Sequence, residues 1–295
     1  MRIVVAGSSG LIGSALVDSL RAHGHSVARL VRHEPYHDDE FGWDPESFGV
    51  PPDSLAGADA VVNLGGVSVS GWRWTGRFKQ ELRDSRITPT EVLAEATAMA
   101  GVPILINASA TGFYGNTGDH IATEKSAAGD GFLADLVTDW EASATAATEG
   151  YDTRVTLLRT APVLSPRGGI LGKLRVPFKL GLGAPIGDGR QYFSWISLVD
   201  EVRAIEYLLT NDIAGPVNLT APDPVRFNEF TRTFAQSLHR PAFLRIPGVA
   251  ATAVAGEMAR EMILYSQRVI PAVLTDHGFV FDHPTLDQAL DYAHG

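Results

Sequence analysis

The chain has 295 residues, 34 acidic and 24 basic, for a formal charge of -10, and it contains no cysteine. The missing thiols exclude disulfides and cysteine catalysis and suit a reducing compartment, while the acidic balance, without any run of Lys and Arg, argues against nucleic acid as a partner. No apolar stretch reaches the roughly 18–20 residues of a membrane span, and no signal-peptide pattern opens the chain, so a soluble, cytoplasmic protein is expected.

The first elements are the most informative. Ile3 to Ala6 form an apolar run, Gly7, Gly10 and Gly13 follow at three-residue spacing, and Ile12, Leu16 and Leu20 make an apolar helical stripe. This reads as strand, turn and helix, the arrangement that seats a pyrophosphate on the helix's unpaired N–H groups. In that role Gly7 takes backbone angles closed to other residues, Gly10 lets the chain approach the phosphates, and Gly13 lets the helix press on the strand. Ser9, Leu11 and Ile12 complete the candidate turn. The spacing G-x-x-G-x-x-G serves a plain strand-to-helix bend equally well, so the motif needs context.

The second strand, Ser26–Val31, supplies some. A sheet that binds NAD usually offers a carboxylate after this strand for the ribose 2′-hydroxyl. Val31 and Arg32 stand there instead, and a guanidinium suits the 2′-phosphate of NADP. Arg29, inside the strand, is a weaker competitor. Further strand-like runs at Ala60–Leu64, Ile104–Ala108 and Val155–Leu158 alternate with helical patterns at 11–23, 77–100 and 131–149. The alternation predicts a doubly wound parallel α/β sheet with its ligand beyond the carboxyl ends of the strands.

After Arg159 the stretch "LSPRGGILGKLRVPFKLGLGAPIGDGRQ" is rich in Gly and Pro and reads as a loop-bearing insertion. A helix at 198–211, a strand at Val217–Leu219, a helix at 227–239 and an apolar C-terminal region follow. The expected division is a dinucleotide-binding domain over 1–164 and a smaller substrate-binding lobe over 165–295.

Several motifs in order, "GSSGLIG", "DAVVNLGG", "RDSRITPTEVL", "SATGFYG", "DWEASA", "LLRTAPVL", "PFKLGLGAPIGDGRQYFSWI" and "VNLTAPDPV", resemble the atypical extended short-chain dehydrogenase/reductases. Within them the chain is similar to the subgroup labelled nucleoside-diphosphate-sugar epimerase or SulA-like, through to a C-terminal family domain ending in "LTDHGFVFDHPTLDQAL". The resemblance implies a Rossmann fold and an NADP cofactor, with contacts at Arg32, Leu64, Gly65, Glu81, Arg86 and Val163. Glu81 and Arg86 also suit a solvated helix face, being five positions apart.

The chemistry implied by the resemblance meets a gap. Extended reductases use a Tyr-x-x-x-Lys pair, in which the lysine tunes a phenol that trades a proton with substrate. In "GFLADLVTDWEASA" the corresponding positions are Leu133 and Val137. Ser109 and Tyr114 in "SATGFYG" are then the candidate catalytic residues, although the family's Ser or Thr falls at Ala110. His23, His25, His33 and His37 read as solvated polar loops, and no metal is expected. Trp72, Trp74, Trp140 and Trp195 suit a substrate cleft or core packing alike, and the glycine-rich loop 177–195, with Tyr192 and Ser194, suits a mobile cover for substrate. Two functions fit: an NADP-dependent oxidoreductase or epimerase acting on a small polar or sugar-nucleotide substrate, or a catalytically weak NADP(H)-binding sensor or regulatory protein. The substrate and the oligomeric state are not legible.

Overall fold

The computed structural model describes residues 1–71, 73–242 and 246–294. Its centre is a seven-stranded sheet of β1 (Arg2–Ala6), β2 (Ser26–Val31), β3 (Glu40–Gly42), β4 (Ala60–Asn63), β5 (Ile104–Ala110), β6 (Arg154–Thr160) and β7 (Gly215–Leu219). All pairings are parallel, in the order β7-β6-β5-β4-β1-β2-β3. The order reverses between β1 and β4, and the pairings of Ala6 with Leu30 and with Asn63 bring three carboxyl ends level there. A sheet of this kind binds its ligand at such a switch point.

Helices cover both faces. On one, Leu16 and Leu20 of α1 (Leu11–Ala22) pack with Val202, Ile205 and Leu208 of α6 (Leu198–Thr210) over Ile3, Val5 and Val62. On the other, Leu93 and Ala94 of α3 (Ile87–Met99) cover Val4, Val61 and Leu105, and α4 (Phe132–Ala146) lies beside α3. A separate apolar cluster joins α5 (Gly169–Lys179), α7 (Phe227–Ser237) and α8 (Leu286–His294) around Trp195, Phe230 and Phe234. This is the doubly wound sheet with a smaller C-terminal lobe that the sequence implied. Among the described residues no helix is long and apolar enough to cross a membrane.

Four local differences have physical reasons. The single helix expected over 77–100 is two, α2 (Gly76–Asp84) and α3, because Pro89 has no N–H for a bond back to residue 85 and the chain turns at Ser85–Arg86. β3 lies in a stretch that reads as polar loop. It is held at the sheet edge by Arg29, which pairs with Asp39 at 2.7 Å and Glu40 at 3.1 Å. The Gly- and Pro-rich insertion contains α5, whose Leu171 and Phe178 enter the lobe's core. The seventh strand comes from beyond residue 165, so the sheet itself reaches into the region assigned to the lobe.

The first turn of α6 docks the C-terminal segment. The Asp200 carboxylate accepts bonds from Asp282 N at 2.8 Å and His283 N at 2.9 Å. Its neighbour Glu201 is fully buried, takes one bond at 2.9 Å from the Thr160 hydroxyl and leaves Oε2 unpartnered. Burial pushes its carboxyl up to about 8, so it is held neutral at pH 7. Between its unfolded value of about 4.3 and the folded value, the native chain keeps a proton that the unfolded chain releases, so this contribution to stability is lost as pH rises through that window. Glu201→Gln removes the titration while keeping the shape. The expected outcome is a melting-point advantage of the variant that grows from pH 5 to pH 8.5; a gap independent of pH counts against a buried neutral acid.

Candidate functional site

Each glycine of the first turn answers to a different constraint. Gly7 has φ +78°, and a Cβ there would lie 2.6 Å from the Leu64 carbonyl, so this turn and the end of β4 pack backbone to backbone. A Cβ on Gly13 would overlap the Gly7 carbonyl oxygen, which fixes how closely α1 approaches the strand. Gly10 is different. Its φ of -73° suits any residue, and a Cβ would meet only Gly7 O at 3.4 Å. No protein atom demands glycine there.

Gly10 is also the N-cap of α1, which has no side-chain cap and no acid in its first turn. By contrast, Thr75 caps α2 at Phe78 N and Ser197 caps α6 at Asp200 N. No side-chain cap takes the first N–H groups of α1, which start at the switch point with the positive end of the helix dipole behind them.

Opposite lies the loop after β4, built by two buried polar residues. Asn63 is 2% exposed; it accepts a bond from Gly65 N at 3.2 Å and donates to Asn107 Oδ1 at 2.7 Å and Thr90 Oγ1 at 3.0 Å. Arg86 lies beneath Gly66, 8% exposed, and donates to the Val67 and Leu82 carbonyls at 2.8 and 3.1 Å and to Ser85 Oγ. Its guanidinium stacks on Trp140, and no carboxylate pairs with it among the described residues. Burial pulls its value down to about 10, still well above physiological pH. A buried cation supported only by neutral oxygens is short of a counter-charge.

Leu64 and Gly65 thus border the glycine turn. Arg32 and Glu81 line an adjoining cleft of about 1010 Å³ between the end of β2 and the exposed face of α2. Arg29 is committed to Asp39, whose hydrogen bond raises it and holds Asp39 low, which leaves Arg32 as the uncommitted guanidinium of the second strand. Val163 sits at the far end, where the space beside Gly169 touches both its carbonyl and Leu11. Every residue expected to contact a cofactor therefore lies along one edge of the sheet, from Arg32 to Val163.

Ser109 and Tyr114 are brought together too, but inward. Ser109 is 5% exposed and donates to Glu141 Oε1 at 2.5 Å. Glu141 takes both arms of Arg159 at 2.8 Å, Arg159 donates to the Tyr114 oxygen at 3.0 Å, and Tyr114 donates to Asn218 Oδ1 at 2.6 Å. The Arg159 guanidinium lies 3.5 Å above the Phe113 ring. Burial raises the Tyr114 phenol despite the facing arginine; at Arg159 burial pulls down most strongly, and only Glu141 and Tyr114 together outweigh it to leave the guanidinium raised. Both hydroxyls assigned to proton transfer are engaged in this network. At the positions of the missing pair, Leu133 packs on the turn at Gly112 and Val137 is buried.

Sequence reasoning missed the residues that join the lobe to this edge. The Glu261 carboxylate accepts the Phe132 and Leu133 N–H bonds at 3.0 and 2.9 Å, at the start of α4, and Gln267 holds the turn at Thr111 and Gly115. A lone Glu and Gln in an apolar C-terminal stretch gave no spacing to read. Trp140 and Trp195 are buried packing residues, Trp74 packs on Phe132, and Trp72 lies outside the described residues. The 177–195 loop is pinned by Gln191 to Ile186 and Ile263 and by Ser194 to Gln267. Among the described residues no group of three His, Asp or Glu has the arrangement to hold a metal ion.

A glycine turn on an uncapped helix, at the switch point of a doubly wound sheet, defines the class of dinucleotide-binding α/β proteins. Residues 3–220 match the NAD dependent epimerase/dehydratase family, to which the chain belongs, and residues 246–293 match a domain of unknown function, DUF1731. The chain is 53% identical over 292 residues, 99% of this chain and 97% of the relative, to epimerase family protein MT2273 of Mycobacterium tuberculosis. It is similar to the crystal structure of human epimerase family protein SDR39U1 with NADPH, with TM-score 0.91, 34% identity and full coverage of both chains. A nucleoside-diphosphate sugar epimerase from Corynebacterium glutamicum matches with TM-score 0.83 and 36% identity over all of this chain and 58% of that one.

The inward network makes a stability prediction. Glu141→Ala leaves the Arg159 charge buried without its partner and should cost about 3–5 kcal/mol, whereas Ser109→Ala loses one hydrogen bond and should cost about 1 kcal/mol. Urea denaturation measures both; equal losses would mean that the ion pair does not organise this region.

Proposed function

We propose that this chain is an NADP(H)-dependent oxidoreductase or epimerase acting on a small polar substrate, a sugar nucleotide among the candidates, in the cytoplasm. The observation that carries the reading is the uncapped N-terminus of α1 behind a glycine that no protein contact requires. In this reading Gly7, Ser9, Gly10, Leu11, Ile12 and Gly13 hold the pyrophosphate on backbone N–H groups. Leu64 and Gly65 border it, and Arg86 beneath Gly66 supplies the positive charge that its surroundings leave unbalanced. Arg32 takes the 2′-phosphate, Glu81 faces the adenosine from α2, and Val163 closes the nicotinamide end. The relative crystallised with NADPH supports the same cofactor for this chain.

When bound, the nicotinamide supplies or accepts a hydride. The chain's own residues surround that end with apolar and half-buried groups, Ala110, Leu133, Pro162 and Val163, which exclude water. Ser109 and Tyr114 position the floor of the site through Glu141 and Arg159 rather than presenting free hydroxyls. Proton transfer therefore rests on the substrate's own acidic group. That engagement also favours the second reading, a sensor of NADP(H) without turnover. Two assays separate them, NADPH oxidation over a panel of carbonyl compounds and product analysis of sugar nucleotides incubated with NADP+, because an epimerase returns its hydride and consumes no cofactor: turnover in either supports the enzyme, and tight binding without turnover in both supports the sensor.

Gly10→Val tests the cofactor seat. Val is a poorer N-cap than Gly by about 1 kcal/mol, and the space there is otherwise open, so the variant should stay folded and melt a few degrees below the native chain. Saturating NADPH should raise the native melting point and leave that of Gly10→Val unmoved. A variant that keeps the full NADPH-induced shift overturns the assignment of the turn.

A further inference from the structure

Helix α5 starts against α1 and ends its first turn against the loop on the other side of the glycine turn. At its first residue, Gly169, a Cβ would stand 3.0 Å from the Val163 carbonyl oxygen and 3.2 Å from Leu11 Cδ2. Just before it, Arg167 pairs with Asp18 of α1 at 3.7 Å. One turn further along, Lys173 reaches the loop after β4, where it donates to the Ser70 hydroxyl and, at 3.5 Å, to the Ser70 carbonyl. That loop is anchored at its base. Leu64 and Gly65 pack on Gly7, Val67 is held by Arg86 and Ser85 Oγ, and the Ser68 and Ser70 hydroxyls bond to each other at 2.7 Å.

These contacts close a ring. It runs from Leu11 through Gly169 and Lys173 to Ser70, back along the loop to Gly65 and Gly7, and through the turn to α1 again, so the uncapped first turn of α1 belongs to it. Its other links are covalent chain or close packing. Lys173 to Ser70 is one exposed side chain on neutral oxygens, and among the described residues no carboxylate pairs with that ammonium. An exposed contact of this kind contributes little and opens readily. A dinucleotide seated with its pyrophosphate on α1, its adenosine toward Arg32 and its nicotinamide toward Val163 passes through the ring. With a bulky nucleoside on each side, it enters and leaves when the ring is open.

We propose that Lys173 and Ser70 form a clasp across the cofactor seat, closed over the pyrophosphate and opened for each exchange of dinucleotide, so that the clasp sets the exchange rate. The inference rests on the cofactor reading above and adds to it a device carried by the lobe. Retention behind a clasp suits an enzyme that returns its hydride to the product, whereas one that consumes NADPH opens the clasp at every turnover.

The chain has no cysteine, so the clasp can be locked chemically. In the full chain carrying Ser70→Cys and Lys173→Cys, a short bifunctional thiol reagent joins the two positions either before or after NADPH is added, and a monofunctional reagent of the same size controls for bulk. Stopped-flow NADPH fluorescence reads association and, with excess NADP+ as a chase, release. Neither side chain is buried, so the variants should fold, and a free-protein melting point no lower than the native one verifies this. Unlinked, the double variant and Lys173→Gln should both exchange NADPH about threefold faster than the native chain in each direction. Linked before addition, the double variant should take up NADPH at least about tenfold more slowly, and linked afterwards it should release NADPH more slowly by a similar factor. Linked chains that exchange NADPH at the unlinked rates overturn the clasp and leave the cofactor reading standing, because the contact then lies beside the seat. Faster release from Lys173→Gln with association unchanged also overturns it, since Lys173 is then a plain ligand of the pyrophosphate. A native chain that binds no NADPH overturns the cofactor reading, and the clasp with it.

Discussion

The buried pair of Arg159 and Glu141 is the interaction on which the rest of the site depends. It joins the end of β6 to the middle of α4, and through Ser109, Tyr114 and Asn218 it reaches β5 and β7. Removing two charges from water is costly, and the Coulomb attraction in a poorly polarisable interior offsets that cost only when the remaining donors and acceptors are also satisfied. Here they are: the Tyr114 phenol and the Phe113 ring meet the guanidinium, and the Ser109 hydroxyl donates to the carboxylate. The sheet's carboxyl edge is thereby held in register where a ligand must fit closely. The same network holds the Ser109 hydroxyl on Glu141 and the Tyr114 phenol between Arg159 and Asn218.

Charge along the edge is divided between groups that are balanced and groups that are not. Arg29, Arg83 and Arg159 have carboxylates of their own. Arg86 is buried and has only neutral oxygens, and Arg32 and Arg77 stand in the cleft without partners among the described residues. In a chain of net charge -10, a buried cation such as Arg86 that meets only neutral oxygens stands out. The uncapped start of α1 is the backbone counterpart of the same imbalance. The C-terminal segment completes the edge from the other side, with Glu261 taking the first N–H groups of α4 and Gln267 bracing the turn after β5.

Much of this was legible in the residues. The glycine turn, the lack of a carboxylate after β2 and the apolar strands are local patterns, and the structure places Gly7, Arg32, Leu64 and Val163 along one edge. The break at Ser85–Arg86 was obscured because α2 and α3 are each good helices and only Pro89 interrupts them. Helix α5 was hidden by glycines at its start, and β3 by charges whose partners are ten residues away in the chain.

The sequence by itself determined the fold class and the glycine turn that joins the first strand to the first helix, because hydrophobic periodicity and glycine spacing act over a few residues and need no distant partner. It also determined that the usual Tyr-x-x-x-Lys pair is missing. Only the tertiary structure decided what Ser109, Tyr114 and Arg86 do, since a side chain's state depends on groups brought to it from afar. Ser109 meets Glu141, and Tyr114 meets Asn218, across spans that no local pattern encodes. Arg86 meets no acid among the described residues, and burial then turns an ordinary helix-end arginine into an unbalanced charge.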